Sequence, residues 1–229
     1  MLFNHIGQGI KPAARVIPSM LTVALLMPTT VLADNAVGLG LSTQGVQLSF
    51  AQSLSENINI KLAYNTASSD FDGETDGIDY EYDFDFDSIG LLLDWHAFAN
   101  SFRFTAGAIA NNNEIQAESR ISSASVQVGD TTFTSAQVGR IEGDITFDSF
   151  APYLGIGWGR AVAEGFGFNF DLGLMFQGEP EVDLRSVGGI LSSDPILLAE
   201  VEREEQELQD DVDDFDLYPV VSVSVSYSF

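Results

Sequence analysis

The feature that most constrains the fold is an alternation of large apolar residues with small or polar ones. It is clearest from Phe166 to Phe176, FGFNFDLGLMF, where Phe or Leu occupies every even position. Successive side chains of a strand point to opposite faces, so this segment is a strand with one apolar face and one mostly polar or small face. The same alternation recurs in residues 58–65, 89–96, 102–111, 150–162 and 217–229.

Short and long connections alternate between these segments. The short ones cover 55–57, 97–101 and 163–165, and the long ones cover about 70–79, 119–143 and 187–214. Short periplasmic turns and long external loops are typical of a barrel in the outer membrane. A closed sheet also pairs every backbone N–H and C=O, as hydrocarbon requires. We therefore predict an all-β fold, a transmembrane antiparallel β-barrel whose apolar face contacts lipid.

The phase of the alternation flips across Ser42 to Gly45, which indicates a tight turn or else a bulge. With a turn there, the sequence predicts eight strands and both termini on the periplasmic side. A hairpin at Val126 to Phe133, around Gly129-Asp130, would raise the count to ten; we interpret it as a projection of the third external loop. The eight predicted strands are 36–43, 45–54, 58–69, 80–97, 102–117, 145–162, 166–186 and 216–229.

The N-terminus is a separate unit. Lys11 and Arg15 precede an apolar run, and Val31-Leu32-Ala33 fits the site that signal peptidase cleaves. Residues 1–33 are predicted to be a signal peptide and residues 34–229 the mature barrel. A membrane anchor is the alternative, but the run contains Pro18 and Pro28 and is shorter than the roughly 20 apolar residues that a spanning helix needs.

Charge and cysteine content exclude several function classes. The chain carries 34 acidic and nine basic residues, a formal net charge of −25, and no cysteine. Because both Lys11 and Arg15 lie in the predicted leader, the mature chain is more acidic still. Nucleic acid, whose phosphates would be repelled, is not an expected partner. Disulfides and thiolate metal sites are impossible, and no cofactor is predicted.

Four stretches resemble a known family of small outer-membrane barrels of Gram-negative bacteria. They are LLLDWHAF (91–98), APYLGIGWG (151–159), FDLGLMFQGEPEVDL (170–184) and YPVVSVSVSYSF (218–229). The layout is most similar to CarO-type proteins, described as ornithine-uptake porins, and more loosely to OmpW. The resemblance implies an outer-membrane location, contact with lipid and lipopolysaccharide, and recognition of the terminal Phe229 by the outer-membrane assembly machinery.

Five ionisable residues have the parity of the barrel interior: Lys61, Asp94, His96, Arg103 and Asp171. An eight-stranded barrel is just wide enough for side chains, so these residues form either a structural ion-pair network or a constricted path that selects solutes. Glycines at 155, 157, 159, 167 and 173 remove volume from the inner wall. They either admit a bulky neighbour such as Tyr153 or leave a small void.

The first long external loop is strongly acidic. Residues 70–87 contain nine acidic residues and no basic one, among them Asp70, Asp72, Glu74, Asp76, Asp79 and Glu81. Asp72, Glu74, Asp76 and Asp83 occupy positions 1, 3, 5 and 12 of a calcium-loop pattern. The pattern lacks the terminal Glu, so a solvated acidic loop is the alternative and no metal is assigned.

The last long loop contains an amphipathic helix. Asp194 suits its N-cap and Pro195 its first position. Leu198, Val201, Leu208, Val212 and Phe215 recur at helical spacing, and acidic residues at the C-terminal end predict fraying after about Leu208. This helix is either a lid or cation-gathering surface, or a solvated face that keeps the loop soluble.

Two functions follow from these features. The first is a narrow porin-like channel for small cationic solutes such as basic amino acids, drawn in by the acidic loops. The second is a non-conducting barrel that acts in surface binding, adhesion or envelope stability through those loops. An enzyme is not predicted, because Asp94 and His96 share a face without an obvious nucleophile.

Overall fold

The computed structural model describes residues 34–75, 78–121, 124–160, 162 and 165–229. The predicted signal peptide, residues 1–33, lies outside the described residues. The described chain contains thirteen strands and two helices. Their bounds are β1 Asn35–Ser42, β2 Gly45–Ser55, β3 Ile58–Thr75, β4 Ile78–Trp95, β5 Phe102–Asn111, β6 Glu114–Ile121, β7 Ser125–Val128, β8 Thr131–Thr134, α1 Ser135–Val138, β9 Gly139–Thr146, β10 Phe150–Trp158, β11 Gly165–Phe176, β12 Glu181–Gly188, α2 Pro195–Val212 and β13 Leu217–Ser228.

Eight of the strands form a closed antiparallel ring. Their order is β4-β3-β2-β1-β13-β11-β10-β5, and β5 pairs with β4 to close the circle. The first and last strands are neighbours, and Phe229 N donates to Asn35 O at 2.9 Å. The predicted turn between β1 and β2 is confirmed at Thr43-Gln44. The prediction of an eight-stranded barrel is therefore confirmed, since no edge is left within the ring.

The outer face of the ring is an apolar belt. Leu39, Leu62, Leu91, Phe168 and Leu174 are exposed and alternate with buried inward residues. Aromatic rings gather at the end that carries the termini. There the rings of Phe102 and Trp158 are in edge contact with centroids 5.2 Å apart, and the ring centroids of Phe166 and Tyr227 lie 5.0 Å apart. Such a ring of aromatic side chains near the periplasmic interface is typical of outer-membrane barrels.

On the external side of the membrane, the barrel wall continues along only one side of the ring. β6, β9 and β12 prolong β5, β10 and β11 after short interruptions. β6 pairs with the upper part of β4, β9 pairs with β6, and β12 pairs with β9. The strands β3-β4-β6-β9-β12 thereby form a five-stranded external sheet. Hydrogen bonds join the three interruptions, because Asn111 N donates to Ser149 O and Asp148 N donates to Gln177 O. The interruptions therefore lie at one level.

A second hydrophobic core lies outside the barrel. The β7–β8 hairpin, which turns at Gly129, packs with α1 and the start of α2, as predicted for a projection of the third external loop. The buried residues of this core are Val126, Val128, Phe133, Val138, Leu197 and Val201. Among the described residues, no helix has the length and apolar character needed to cross a membrane.

Helix α2 covers the free edge of the external sheet. Val182 N donates to Gln209 Oε1 at 3.1 Å, and Leu184 N donates to Glu205 Oε2 at 2.8 Å. Side chains of the helix thus satisfy backbone groups that an edge strand would otherwise present to other chains. The predicted N-cap is confirmed, because Asp194 Oδ1 accepts from Ile196 N at 2.9 Å.

Several predicted boundaries were wrong. The strands predicted at 102–117, 145–162 and 166–186 are each split where the barrel meets the external sheet. Most of the loop predicted at 70–79 is strand, because β3 and β4 remain paired up to Thr75 and Ile78. α2 extends to Val212, beyond the predicted fraying point. Its buried face includes Leu197, whereas the predicted Leu198 is about half exposed and Phe215 lies beyond the helix.

Candidate functional site

The inward-facing charges of the barrel form one ion-pair network. Arg103 Nη2 lies 2.6 Å from Asp171 Oδ1, and Arg103 Nε lies 3.6 Å from Asp94 Oδ2. Lys61 Nζ lies between the same two carboxylates, 3.6 Å from Asp94 Oδ2 and 3.5 Å from Asp171 Oδ1. Four of the five predicted lumen residues are therefore brought together, two cations against two anions.

Neutral groups complete the network. Thr105 Oγ1 donates to Asp94 Oδ1 at 2.6 Å, and Arg103 Nη1 donates to Gly159 O at 2.7 Å. Within the described residues, Asp94 Oδ2 and Arg103 Nε find no hydrogen-bond partner. Arg103 and Asp94 are 1% and 0% exposed. Charges so deeply buried are tolerated because each cation faces an anion.

His96 is inward-facing, as predicted, but it stands apart from this network. Its Nδ1 lies 3.0 Å from Asn100 O and its Nε2 lies 3.4 Å from Asn59 Nδ2. These partners fit a ring that donates at Nδ1 and accepts at Nε2. The imidazole therefore fastens the turn after β4, and no nucleophilic side chain is among these contacts.

Glycines of the inner wall make room for larger side chains. A Cβ atom at Gly173 would collide with the hydroxyl of Tyr153, and one at Gly157 would lie 2.8 Å from the Arg103 guanidinium carbon. The sequence left open whether these glycines admit a bulky neighbour or leave a small void. Around Tyr153, they admit the bulky neighbour. Tyr153 occupies the space that Gly155 and Gly173 leave.

An apolar layer lies on the external side of the charges. Leu92, Ile109, Ala151, Met175 and Val220 pack around Tyr153, and all are buried. Beside them, the turn residue Gln44 folds into the barrel. Its Nε2 contacts Met175 Sδ at 3.5 Å, and its Oε1 accepts from Ser88 Oγ at 3.3 Å. Parity could have identified Ser88 as inward-facing, but nothing in the sequence indicates that a turn residue such as Gln44 enters the barrel.

The external sheet carries rows of opposed carboxylates. Asp70 is opposite Asp83, and Asp72 is opposite Glu81. Glu81 is in turn opposite Glu118 on β6. Glu74 and Asp79 are also register partners, whereas the predicted Asp76 lies outside the described residues. Side chains of directly opposed residues are neighbours, and like charges there are destabilising.

Asp70, Asp72, Glu81 and Asp83 share the outer face of the barrel wall. The register of β3 and β4 is uninterrupted from Ile58↔Trp95 to Thr75↔Ile78, so parity is preserved along both strands. Odd residues of β4 therefore point outward throughout, from Leu91 in the apolar belt to Asp83 and Glu81 above it. The opposite face is aromatic, and Phe71 and Phe84 are in edge contact with centroids 5.5 Å apart.

Arg140 and Arg185 pair with carboxylates on the β9 side of this face, and Arg140 Nε also lies 3.9 Å from Glu118 Oε1. Arg185 Nη1 lies 2.6 Å from Asp144 Oδ2, and both Arg185 and Arg140 contact Glu142. Hydrogen bonds from these arginines lower the pKa of Glu142. By contrast, desolvation together with the carboxylate of Asp70 raises the pKa of Asp83. The acidic surplus therefore lies on β3 and β4.

The paired strands differ from the calcium loop considered from the sequence. Asp72 lies on β3 and Asp83 on β4, and these strands run antiparallel rather than curling around an ion. Asp76 is outside the described residues. In the described part of the chain, no three His, Cys, Asp or Glu residues are grouped as a metal site requires.

Comparison with known proteins identifies the fold. The structure resembles the crystal structure of Acinetobacter baumannii CarO2, with a TM-score of 0.57 and 19% sequence identity, over 86% of this chain and 99% of that chain. It also resembles the crystal structure of Acinetobacter baumannii CarO, with a TM-score of 0.55 and 22% identity, over 85% of this chain and 97% of that chain. No protein-family model and no curated protein sequence matches the chain. The fold is that of an outer-membrane β-barrel, as the resemblance to CarO-type proteins implied.

Proposed function

We propose that this outer-membrane β-barrel is closed and acts at the cell surface, where the acidic outer face of its external sheet binds cationic ligands. The observation that carries the proposal is the burial of inward side chains at every level of the barrel. His96 is buried near the periplasmic turns, Arg103 in the charged layer, Met175 in the apolar layer and Asn111 at the external rim. A water-filled passage would leave the side chains along it exposed.

The external sheet supports the binding half of the proposal. Its strands are held by backbone pairing and its edge is covered by α2, so the carboxylates are presented on a rigid surface. A concentration of negative charge attracts cations and raises their local concentration. Asp70, Asp72, Glu81 and Asp83 are the residues that we expect to contact a cationic ligand.

The first experiment tests whether the barrel conducts. Refolded residues 34–229 would be placed in a planar bilayer with potassium chloride, ornithine, arginine or glutamate salts. We expect no steady channel from protein whose folding is verified by heat-modifiable mobility in electrophoresis. Reproducible cation-selective channels would overturn the closed barrel and favour the narrow porin, which stays a prediction.

The second experiment tests the acidic face with fluorescent oligolysine as the probe. The variant Asp70→Asn/Glu81→Gln/Asp83→Asn removes three charges from the sheet. The control Glu202→Gln/Asp210→Asn/Asp211→Asn removes three exposed charges from α2. We expect about tenfold weaker binding for the sheet variant only, because exposed pairs contribute roughly 0.2–1 kcal/mol each and about 1.4 kcal/mol changes affinity tenfold. If both variants lose the same oligolysine affinity, the binding depends on net charge and not on the acidic face of the sheet.

A further inference from the structure

The external sheet has a second edge, on β3, that is left open. β2 pairs with β3 only up to Val46↔Thr66, whereas β3 stays paired with β4 as far as Thr75↔Ile78. In the part of the chain that the structure describes, no other segment pairs with β3 above the level of Thr66. The other edge of the sheet, on β12, is covered by α2. Residues 68–75 therefore form an open edge.

The hydrogen bonds of the neighbouring strand show which backbone groups lie at this edge. Asp87 O accepts from Asn112 N at 2.9 Å, and Asp87 N donates to Asn113 Oδ1 at 3.1 Å, so both groups point away from β3. Thr66 is directly opposite Asp87 and therefore directs its own N–H and C=O away from β4. The register is uninterrupted, so every second residue of β3 repeats this orientation. The backbone groups at the open edge include those of Ser68, Asp70 and Asp72.

The side chains along the edge differ between the two faces of the sheet. Asp70 and Asp72 are exposed on the outer face. Phe71, between them, points to the inner face, where its ring is in edge contact with that of Phe84. A strand added here would place alternate side chains beside the carboxylates and the remaining ones beside Phe71. Such a strand would fit best with basic residues on its outer face and apolar residues on its inner face.

The charge of the edge disfavours pairing between two copies of this chain. An antiparallel pair of β3 edges would bring Asp70 and Asp72 of one copy against those of the other, and like charges directly opposed are destabilising. Charged side chains are a usual means by which proteins prevent association through an open edge. The carboxylates on this face already repel one another, since desolvation and the nearby Asp70 raise the pKa of Asp83. A cationic strand would relieve that repulsion instead of adding to it.

We propose that the open edge of β3 binds an extended cationic peptide as an added antiparallel strand, with Lys or Arg opposite Asp70 and Asp72 and apolar side chains beside Phe71. The proposal rests on the acidic face proposed above to bind cations, and it specifies the form of the ligand. In strand addition, main-chain hydrogen bonds contribute affinity and alternate side chains contribute specificity. Both contributions are available here, because the free backbone groups and the carboxylates belong to the same residues.

The test uses a fluorescent peptide of four Lys-Val repeats and refolded residues 34–229. With lysines opposite Asp70 and Asp72, antiparallel pairing turns the lysine N–H groups toward β3 and the valine N–H groups toward solvent. Methylation of the lysine backbone nitrogens should weaken binding about tenfold, as expected for the loss of two strand hydrogen bonds. The control peptide carries the same number of methyl groups on the valine nitrogens. It keeps the charge and composition, and it should bind like the unmethylated peptide.

Ser68→Pro tests the same edge from the side of the protein. It removes one N–H at the open edge without changing the charge, and proline is tolerated where the N–H of an edge strand faces solvent. We expect weaker binding of the Lys-Val peptide to this variant, whereas the control Ser68→Ala keeps the N–H and should bind like the wild type. Heat-modifiable mobility verifies that both variants are folded.

Equal affinity of the two methylated peptides for the wild-type chain would overturn strand addition. The variant Asp70→Asn/Glu81→Gln/Asp83→Asn then separates this failure from a failure of the function proposed above. If both methylated peptides bind that variant more weakly than the wild type, the acidic face binds cations without strand pairing. If their affinity does not change, the acidic face is not the binding surface, and both proposals fail.

Discussion

Arg103 links three parts of the barrel interior, since it contacts Asp94, Asp171 and the carbonyl of Gly159. The charge of Arg103 is balanced within the network, so the barrel interior has no net charge there that would attract solutes. Two buried cations and two buried anions cancel, and removing any one leaves a charge without a partner. The cost of that imbalance is what the first prediction measures.

Asp171→Ala should lower the free energy of unfolding by about 3–5 kcal/mol, because it strands two buried cations. Denaturant titration followed by the fluorescence of Trp95 and Trp158 would measure it. The paired variant Arg103→Met/Asp171→Leu should recover most of the loss, since it removes one charge of each sign. A variant Asp171→Ala that is as stable as the wild type but conducts ions would instead assign the residue to a solute path.

Gly173→Ala should destabilise the barrel by about 1–3 kcal/mol, because the added methyl group occupies the space of the Tyr153 hydroxyl. Thermal unfolding would measure the change. Gly73→Ala serves as the control, since its nearest contact would be an ordinary 3.8 Å to the Tyr82 ring. Adding Tyr153→Leu to Gly173→Ala should restore stability, and a failure to do so would argue against the steric explanation.

The external hairpin and helix form an element with a core of its own. Leu197 and Val201 of α2 pack on Val126, Val128 and Phe133, at a distance in sequence from the barrel strands beneath. Because this core shares no buried residue with the barrel interior, the two can lose packing separately. Local unfolding of this kind is expected where cooperative units are distinct.

Leu197→Ala should loosen this element by about 2–5 kcal/mol, the usual range for emptying a buried leucine site. Its neighbour Leu198 is 47% exposed, so Leu198→Ala is a matched control that should have little effect. Limited proteolysis would show faster cleavage within 124–138 and 189–212 for the first variant only, while the barrel keeps its heat-modifiable mobility. Cleavage that is equal in both variants would contradict the assignment of the core.

Which features the sequence could reveal depends on whether they are local. The alternation of β11 reports a strand facing lipid without reference to any partner, and it placed Asp171 inside the barrel. The split of β5 from β6 depends on where the wall meets the external sheet, and no nearby residue signals it. Gln44 and Leu197 were missed for the same reason: their burial is set by contacts far along the chain. The acidic residues at 70–87 were found, but their opposed register required the structure.

At the scale of the whole molecule, negative charge is distributed unevenly. The barrel interior is balanced, the belt is apolar, and the surplus lies on the outer face of β3 and β4 above the membrane. Like charges opposed across a hairpin repel one another, so this part of the molecule carries an electrostatic cost that depends on solution conditions. Protonation of Asp83 relieves part of that cost.

Asp83→Asn should be more stable than the wild type at pH 7, and the difference should shrink as the pH falls toward 4. The folded pKa of Asp83 is raised by desolvation and by Asp70. Its stabilising protonation is therefore complete below the ordinary aspartate pKa and is lost as the pH rises through the folded value. Thermal unfolding of both chains across this range measures the difference. If the stability difference between Asp83→Asn and the wild type grows as the pH falls, the raised pKa of Asp83 is contradicted.

The three strand interruptions have a consequence for engineering. They occur at one level and are joined by backbone hydrogen bonds between Asn111 and Ser149 and between Asp148 and Gln177. At that level, β3 and β4 are the strands that run without interruption from the barrel into the external sheet. The external part could thus be exchanged as a cassette, with foreign hairpins grafted onto the same eight-stranded base. The molecule is divided at this height into an anchoring base and a replaceable display surface.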